Sequence, residues 1–353
     1  MKLSNSKLSC FRDCPYRYWL EYEQYLEPLI KPWPLLDGSA LHKALEAYYT
    51  PEAPKEALPT IDLALKCQKW GITEPNLPIL AVVEKFYDDL AENTDEANME
   101  AIQQHRATVM GMVAGYTILY KPDEFEICLP EKKEIIDVEG MYLPVTTTKG
   151  EDTEHKHGLL EIPPKAPNIQ LVVKADRIVR KNDVWWLHET KTTSIVKKER
   201  MMEMLMRDWQ SKTYTWAYKQ KEYPVAGVIF DVINKAKLRK TKFETFENFY
   251  GRIVKDYIKD AQAGFVDGGT ATQKYYYREA TSPSPSDLIR FEKTLKMVAA
   301  DLAYAQTCQL WYENDKRCMD YKEPCPFLRI CQEPEEAARL EIMGAYFRKK
   351  ERR

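Results

Sequence analysis

The chain has 353 residues, 44% of them hydrophobic, and its 52 Lys and Arg against 54 Asp and Glu leave a formal net charge of -2. That length and apolar content suffice for one elaborated domain with a sizeable core, while the balanced charge excludes a global field for nucleic acid, so any such binding must come from local basic patches. No apolar run approaches the ~20 residues of a membrane span and the opening residues do not form a secretory leader, so a cytoplasmic location is expected, where eight cysteines point to metal rather than to disulfides.

From Ser6 to Tyr22, the apolar and aromatic residues Leu8, Phe11, Tyr18, Trp19 and Tyr22 predict a helix that restarts at Pro15, a residue suited to a first helical turn. Beyond Pro28, Pro32 and Pro34, the candidate helix caps are Asp37 and Ser39; Leu41, Leu45 and Tyr48 keep helical spacing, which places His42 on a helix. Residues 51–120, broken at Pro59, Gly71 and Pro75, read as a helical insertion without recognisable chemistry. Glu124 to Val145 and Ile169 to Lys191 are β-branched and alternating and predict sheet strands. A helix from Lys197 to Lys221, a strand from Val225 to Ile233 and a helix from Pro285 to Gln306 follow. This order predicts an α/β fold with a central mixed sheet flanked by helices.

The chemistry concentrates in the stretch from Lys174 to Lys191. A two-residue turn at Asn182 and Asp183 sets Asp176 directly across from Glu189, ~5 Å away on one face. Alternation puts Glu189 and Lys191 on that face while Thr190 points away. Two carboxylates are hard-oxygen ligands suited to Mg2+ or Mn2+, and the Lys191 amine can orient a water and stabilise charge developing on phosphorus. An Asp followed by Glu-x-Lys also arises by chance on the solvated face of many hairpins. Lys174 precedes the acidic pair, and only phosphate contact is assigned to it.

Cys318, Cys325 and Cys331 lie close together in sequence, three thiols short of a fourth ligand, whereas Cys67 and Cys128 are isolated and read as buried thiols. Lys197, Lys198 and Arg200, and the run Lys235, Lys237, Arg239, Lys240 and Lys242, are candidate phosphate contacts. Tyr275, Tyr276 and Tyr277 suit stacking on unpaired bases, although such rings belong more often to a core.

Four signatures fall in one order: Ser6-x-Leu8-x-x-Phe11-x-x-Cys14-Pro15-x-x-Tyr18-x-x-x-Tyr22, then Gly38-x-x-x-His42-x-x-Leu45-Glu46, then Asp176 with Glu189-Thr190-Lys191, then Gln210-x-x-x-Tyr214. Together they resemble the RecB-like branch of the PD-(D/E)XK nuclease superfamily, including the iron-sulfur exonucleases of CRISPR adaptation and AddB-type nuclease domains. The resemblance covers nearly the whole chain outside residues 49–120 and implies a restriction-endonuclease-like core. It implies that His42 joins Asp176 and Glu189 as a metal ligand, with Thr190 counted in the metal site. Gln210 and Tyr214, one turn apart, would reach the scissile phosphate or brace Lys191. Glu46 either orients His42 or is a surface carboxylate.

The resemblance further implies that Cys14 completes a cubane iron-sulfur (4Fe-4S) site with Cys318, Cys325 and Cys331, stapling the opening helix to a C-terminal segment of about residues 308–333. Six residues separate Cys318 from Cys325, more than in the CRISPR-associated relatives, which leaves Cys10 and Cys308 as substitutes. Zinc competes for the same four thiolates. The implied activity is metal-dependent DNA hydrolysis, exonucleolytic, in recombination, repair or phage DNA metabolism, with a helicase or recombination partner left open. The alternatives are a catalytically silent DNA-binding or assembly subunit of the same fold, and a restriction-type endonuclease.

Overall fold

The computed structural model describes residues 1–29, 31–50, 58–72, 76–92, 94, 98–120, 124–140, 168–194, 197–266, 273–319 and 324–350. Strand β1 (Lys2–Ser4) leads into α1 (Asn5–Asp13), whose first turn is capped by the Ser4 hydroxyl accepting from the Lys7 amide. Cys14 leaves helical geometry and α2 (Pro15–Tyr18) restarts with Pro15 in its first turn, as its sequence predicts. A π-helical turn (Trp19–Glu23) and β2 (Leu26–Pro28) follow. Helix α3 (Trp33–Tyr49) begins before the expected caps, because Pro34 fits a first turn that needs no amide donor; Asp37 and Ser39 therefore lie inside it.

The segment read as an insertion builds α4 (Ile61–Trp70), closed by Gly71 at φ +77°, α5 (Leu77–Ala91) and α6 (Met99–Leu119). Pro75 and the expected strand end at 141–145 lie outside the described residues. Next come β3 (Glu126–Val138), β4 (Ile169–Lys181), β5 (Val184–Thr193), α7 (Lys198–Arg207) and α8 (Trp209–Gln220). The single helix expected over 197–221 is thus two. Asp208 breaks it at φ -58°, ψ 129°, and its carboxylate caps α8 by accepting from the Gln210 amide. After β6 (Val225–Asn234), the chain adds α9 (Phe246–Val266), β7 (Tyr276–Thr281), α10 (Pro285–Cys308), α11 (Leu328–Gln332), α12 (Glu336–Tyr346) and β8 (Phe347–Lys349).

A mixed six-stranded sheet runs in the order β1-β4-β5-β6-β7, with β3 on the other edge of β4. The β1–β4 and β5–β6 pairs are parallel; β3–β4, β4–β5 and β6–β7 are antiparallel. Strand β4 divides one edge between two partners: residues 170–172 pair with β1, and residues 177–181 with β5. Helices cover both faces. Leu41, Tyr87, Val109, Tyr116 and Tyr257 build one core from α3, α5, α6 and α9, while Leu8, Phe11, Ala217, Phe291 and Leu295 build the other from α1, α8 and α10. Thirteen residues of helix α6 are buried. A small third core of Leu20, Leu26, Phe327, Ile330 and Phe347 joins the two ends of the chain, where β2 pairs with β8. Tyr275, Tyr276 and Tyr277 are core residues. Among the described residues no helix is long and apolar enough to cross a membrane.

Candidate active site

Asn182 and Asp183 both take left-handed φ, +51° and +62°, the backbone of a tight hairpin turn whose twist matches the strands. The ladder runs from Lys181–Val184 to Arg177–His188 and stops there. One step on, side chains take over: the Asp176 N–H donates to Glu189 Oε1 (3.1 Å) and the Thr190 N–H to Asp176 Oδ2 (3.0 Å). The Thr190 hydroxyl points away from the pair and has no hydrogen-bond partner. From α3, His42 brings Nδ1 to 3.2 Å from Asp176 Oδ2. From the first turn of α8, the Gln210 Nε2 donates to Glu189 Oε2 (3.2 Å) while its Oε1 accepts from Lys191 Nζ. Tyr214, one turn further, is buried beside them; burial and then the Glu189 charge push its hydroxyl far above the ordinary tyrosine range.

Burial disfavours charge on both carboxyls, yet the two separate. For Asp176 burial is outweighed by the His42 contact, the Arg177 charge and the Thr190 N–H, which hold its pKa below the ordinary range. Glu189, penalised by burial and then by the Asp176 charge, is pushed well above it despite Lys191. Two carboxylates and an imidazole suit Mg2+ or Mn2+, and a cation is what would allow both acids to ionise. Among the described residues, however, no three His, Cys, Asp or Glu side chains form a ready ligand group. Both Glu189 oxygens and Asp176 Oδ2 are instead engaged in bonds within the protein.

Sequence reasoning missed the reverse face of this sheet. There Arg177 Nη1 lies 3.0 Å from His188 Nδ1, and His188 Nε2 lies 2.7 Å from Asp231 Oδ2. Arg278 and Tyr116 also donate to Asp231. The available signal was one aspartate in the middle of an apolar strand, Val-Ile-Phe-Asp231-Val-Ile. A second buried acid, Asp37, accepts from Tyr87 Oη (2.8 Å) and Lys235 Nζ (2.7 Å) and meets His105 Nδ1 at 2.9 Å. Lys235 is therefore tied down inside, whereas Lys237, Arg239, Lys240, Lys242, Lys197 and Arg200 are exposed and Lys198 pairs with Glu279 (2.6 Å). Lys174 and Glu46 are exposed too.

Cys14 caps α2, its Sγ accepting from the Arg17 amide at 3.5 Å. The Tyr16 amide donates to the Tyr312 carbonyl (3.1 Å) and the Asn314 side chain to the Asp13 carbonyl (2.8 Å), tying the opening helices to the C-terminal segment. Burial raises the thiols of Cys318, Cys325 and Cys331, and each also feels Cys14. Cys10 is buried with Sγ 3.9 Å from Glu21 Oε2, and Cys308 neighbours Tyr304. Cys67 is buried in α4, but Cys128, expected to be buried, is half-exposed because β3 shifts register between Ile127 and Leu129. A family model described as the PD-(D/E)XK nuclease superfamily matches residues 2–332. No curated protein matches the chain.

Proposed function

The chain belongs to the PD-(D/E)XK nuclease superfamily, and from that premise we propose that it hydrolyses DNA phosphodiester bonds in a metal-dependent reaction. The observation that carries the reading is the pair Asp176 and Glu189, joined by reciprocal amide bonds across the strands, with His42 3.2 Å from Asp176 and a lysine anchored by Gln210 beside Glu189. Asp176, Glu189 and His42 would hold Mg2+ or Mn2+, which when bound activates water and polarises the phosphoryl group. Asp176 offers an ionised oxygen, and Glu189 releases its proton to offer another. Lys191, with Nζ fixed by Gln210, orients the attacking water and offsets charge on the non-bridging oxygens. The water oxygen gives up a proton to solvent as it bonds to phosphorus, the phosphorus–ester oxygen bond breaks with its electron pair going to the leaving oxygen, and that oxygen takes a proton from solvent water. Tyr214 braces Gln210, and the exposed lysines and arginines that follow β5 and β6 in the chain would hold the DNA backbone.

The order of the four motifs supports exonucleolytic action in recombination, repair or phage DNA metabolism. Purified protein with Mn2+ is expected to degrade end-labelled linear DNA and to spare closed circles. Nicking of closed circles would instead identify an endonuclease of restriction type, and no cleavage of either would identify a silent subunit.

In this reading Cys14, Cys318, Cys325 and Cys331 would hold a cubane iron-sulfur cluster, a reading supported by the hydrogen bonds that join the opening helices to the C-terminal segment, while among the described residues the thiols do not form a ready ligand group. Such a cluster would cross-link those ends. Protein purified anaerobically is then brown, whereas a colourless preparation with stoichiometric zinc assigns the four thiolates to zinc.

A further inference from the structure

We infer that Asp231, His188 and Arg177, buried behind the sheet, are positioning residues that fix how Asp176 and Glu189 present their carboxylates to a cation, an inference that rests on the nuclease reading above. Arg177 and His188 are the chain neighbours of those two acids, and their pair is the last rung of the β4–β5 ladder. Beyond it no backbone rung sets the separation of the two strands, so the site depends on side-chain contacts. On the front these are the amide bonds to Asp176 and Glu189.

On the back, Arg177 and His188 meet at 3.0 Å, and His188 passes the restraint to Asp231 at 2.7 Å. Asp231 is itself anchored from three elements. It lies on β6, where it pairs with Thr190; it accepts from Arg278 of β7 at 2.5 and 2.8 Å; and it accepts from Tyr116 of α6 at 2.5 Å. Aromatic rings enclose the cations, with Tyr49 at 4.0 Å from the Arg177 guanidinium and Tyr120 at 4.0 Å from that of Arg278.

Asp231 and His188 are completely buried and Arg177 is 3% exposed. Charges buried this way add little net stability over well-packed apolar residues of the same volume. Stability alone therefore does not explain why the network sits at this rung. Strand alternation does supply a reason: groups on the rear of residues 177 and 188 fix the backbone that carries the acids at 176 and 189 on the front. Partners behind metal ligands tune metal affinity in this manner.

The test is Mn2+ titration of the full-length, metal-free protein by calorimetry, alongside thermal melts, for wild type, Asp231→Asn, His188→Gln and Tyr116→Phe. Asp231→Asn and His188→Gln are expected to weaken Mn2+ binding roughly 10- to 100-fold, whereas Tyr116→Phe, which removes one donor to Asp231 and leaves its His188 and Arg278 contacts in place, lowers the melting temperature and weakens Mn2+ binding by less than about threefold. The inference is overturned if either folded variant binds Mn2+ like wild type, if Tyr116→Phe loses as much affinity, or if neither Asp231→Asn nor His188→Gln folds. Wild-type protein that binds no Mn2+ instead overturns the nuclease reading itself.

Discussion

Lys191 is held by a single strong partner, Gln210, which also bonds Glu189. Lys191→Ala removes the ammonium and is expected to lower the cleavage rate by about 10²–10³-fold without unfolding the protein, because the side chain is only half-buried. Gln210→Ala leaves the chemistry in place but releases both groups, and a loss of about 10²-fold is expected from mispositioning alone. Single-turnover cleavage of end-labelled DNA reads both. The raised Glu189 pKa has its own consequence. A carboxyl whose folded pKa is raised costs the metal-free fold stability as pH climbs above the ordinary glutamate value, and a bound cation removes that cost. The metal-induced rise in melting temperature should therefore grow as pH increases from about 5 to 8. A constant or shrinking rise would show that Glu189 does not donate to the ion.

At the scale of elements, the hairpin was legible because its turn residues and its alternation agree on one register. Asp183 nonetheless carries a Cβ at φ +62°. Asp183→Gly should stabilise the fold by up to about 1 kcal/mol in urea unfolding, since glycine takes that conformation without a clash. The opposite holds at Gly115 of α6, where an added methyl would lie 2.1 Å from the Tyr276 hydroxyl and 2.9 Å from the Tyr257 carbonyl. Gly115→Ala is expected to cost about 1–3 kcal/mol by forcing α6 off α9 and β7. Two boundaries escaped the sequence pattern for local reasons. Pro34 allowed α3 to start at Trp33, and Asp208 competed for the Gln210 amide and split a periodic stretch into two helices. That split gives α8 a first turn from which Gln210 reaches β5.

Across the whole molecule, the fold depends on two carboxylates that water does not reach. Asp37 and Asp231 are fully buried; burial would raise both, but Asp37 is held below its usual range by His105 and Lys235, and Asp231 far below it by His188 and Arg278. A depressed folded pKa stabilises above the unfolded value of ~3.9 and is lost as pH falls through the folded one, so stability should decline steeply below about pH 4. Asp231→Asn should flatten that acid limb in urea unfolding measured against pH. The two chain ends meet in one small core against which Cys325 packs, so on the cluster proposal Cys325→Ser should lower the melting temperature and remove any bound iron or zinc together.

Local pattern was enough for strands β3 to β6, the hairpin register and the motif order, though not for β1 and β7, because turn chemistry and side-chain alternation act between residues close in sequence. It was also enough to nominate Asp176, Glu189 and Lys191. Only the tertiary structure decided that Asp37 and Lys235 neutralise one another, that α6 is a core helix, and that Asp231 lies behind the acidic pair. Those contacts join residues 43 to 198 positions apart, and buried charge finds its partner through packing, which no short-range periodicity encodes.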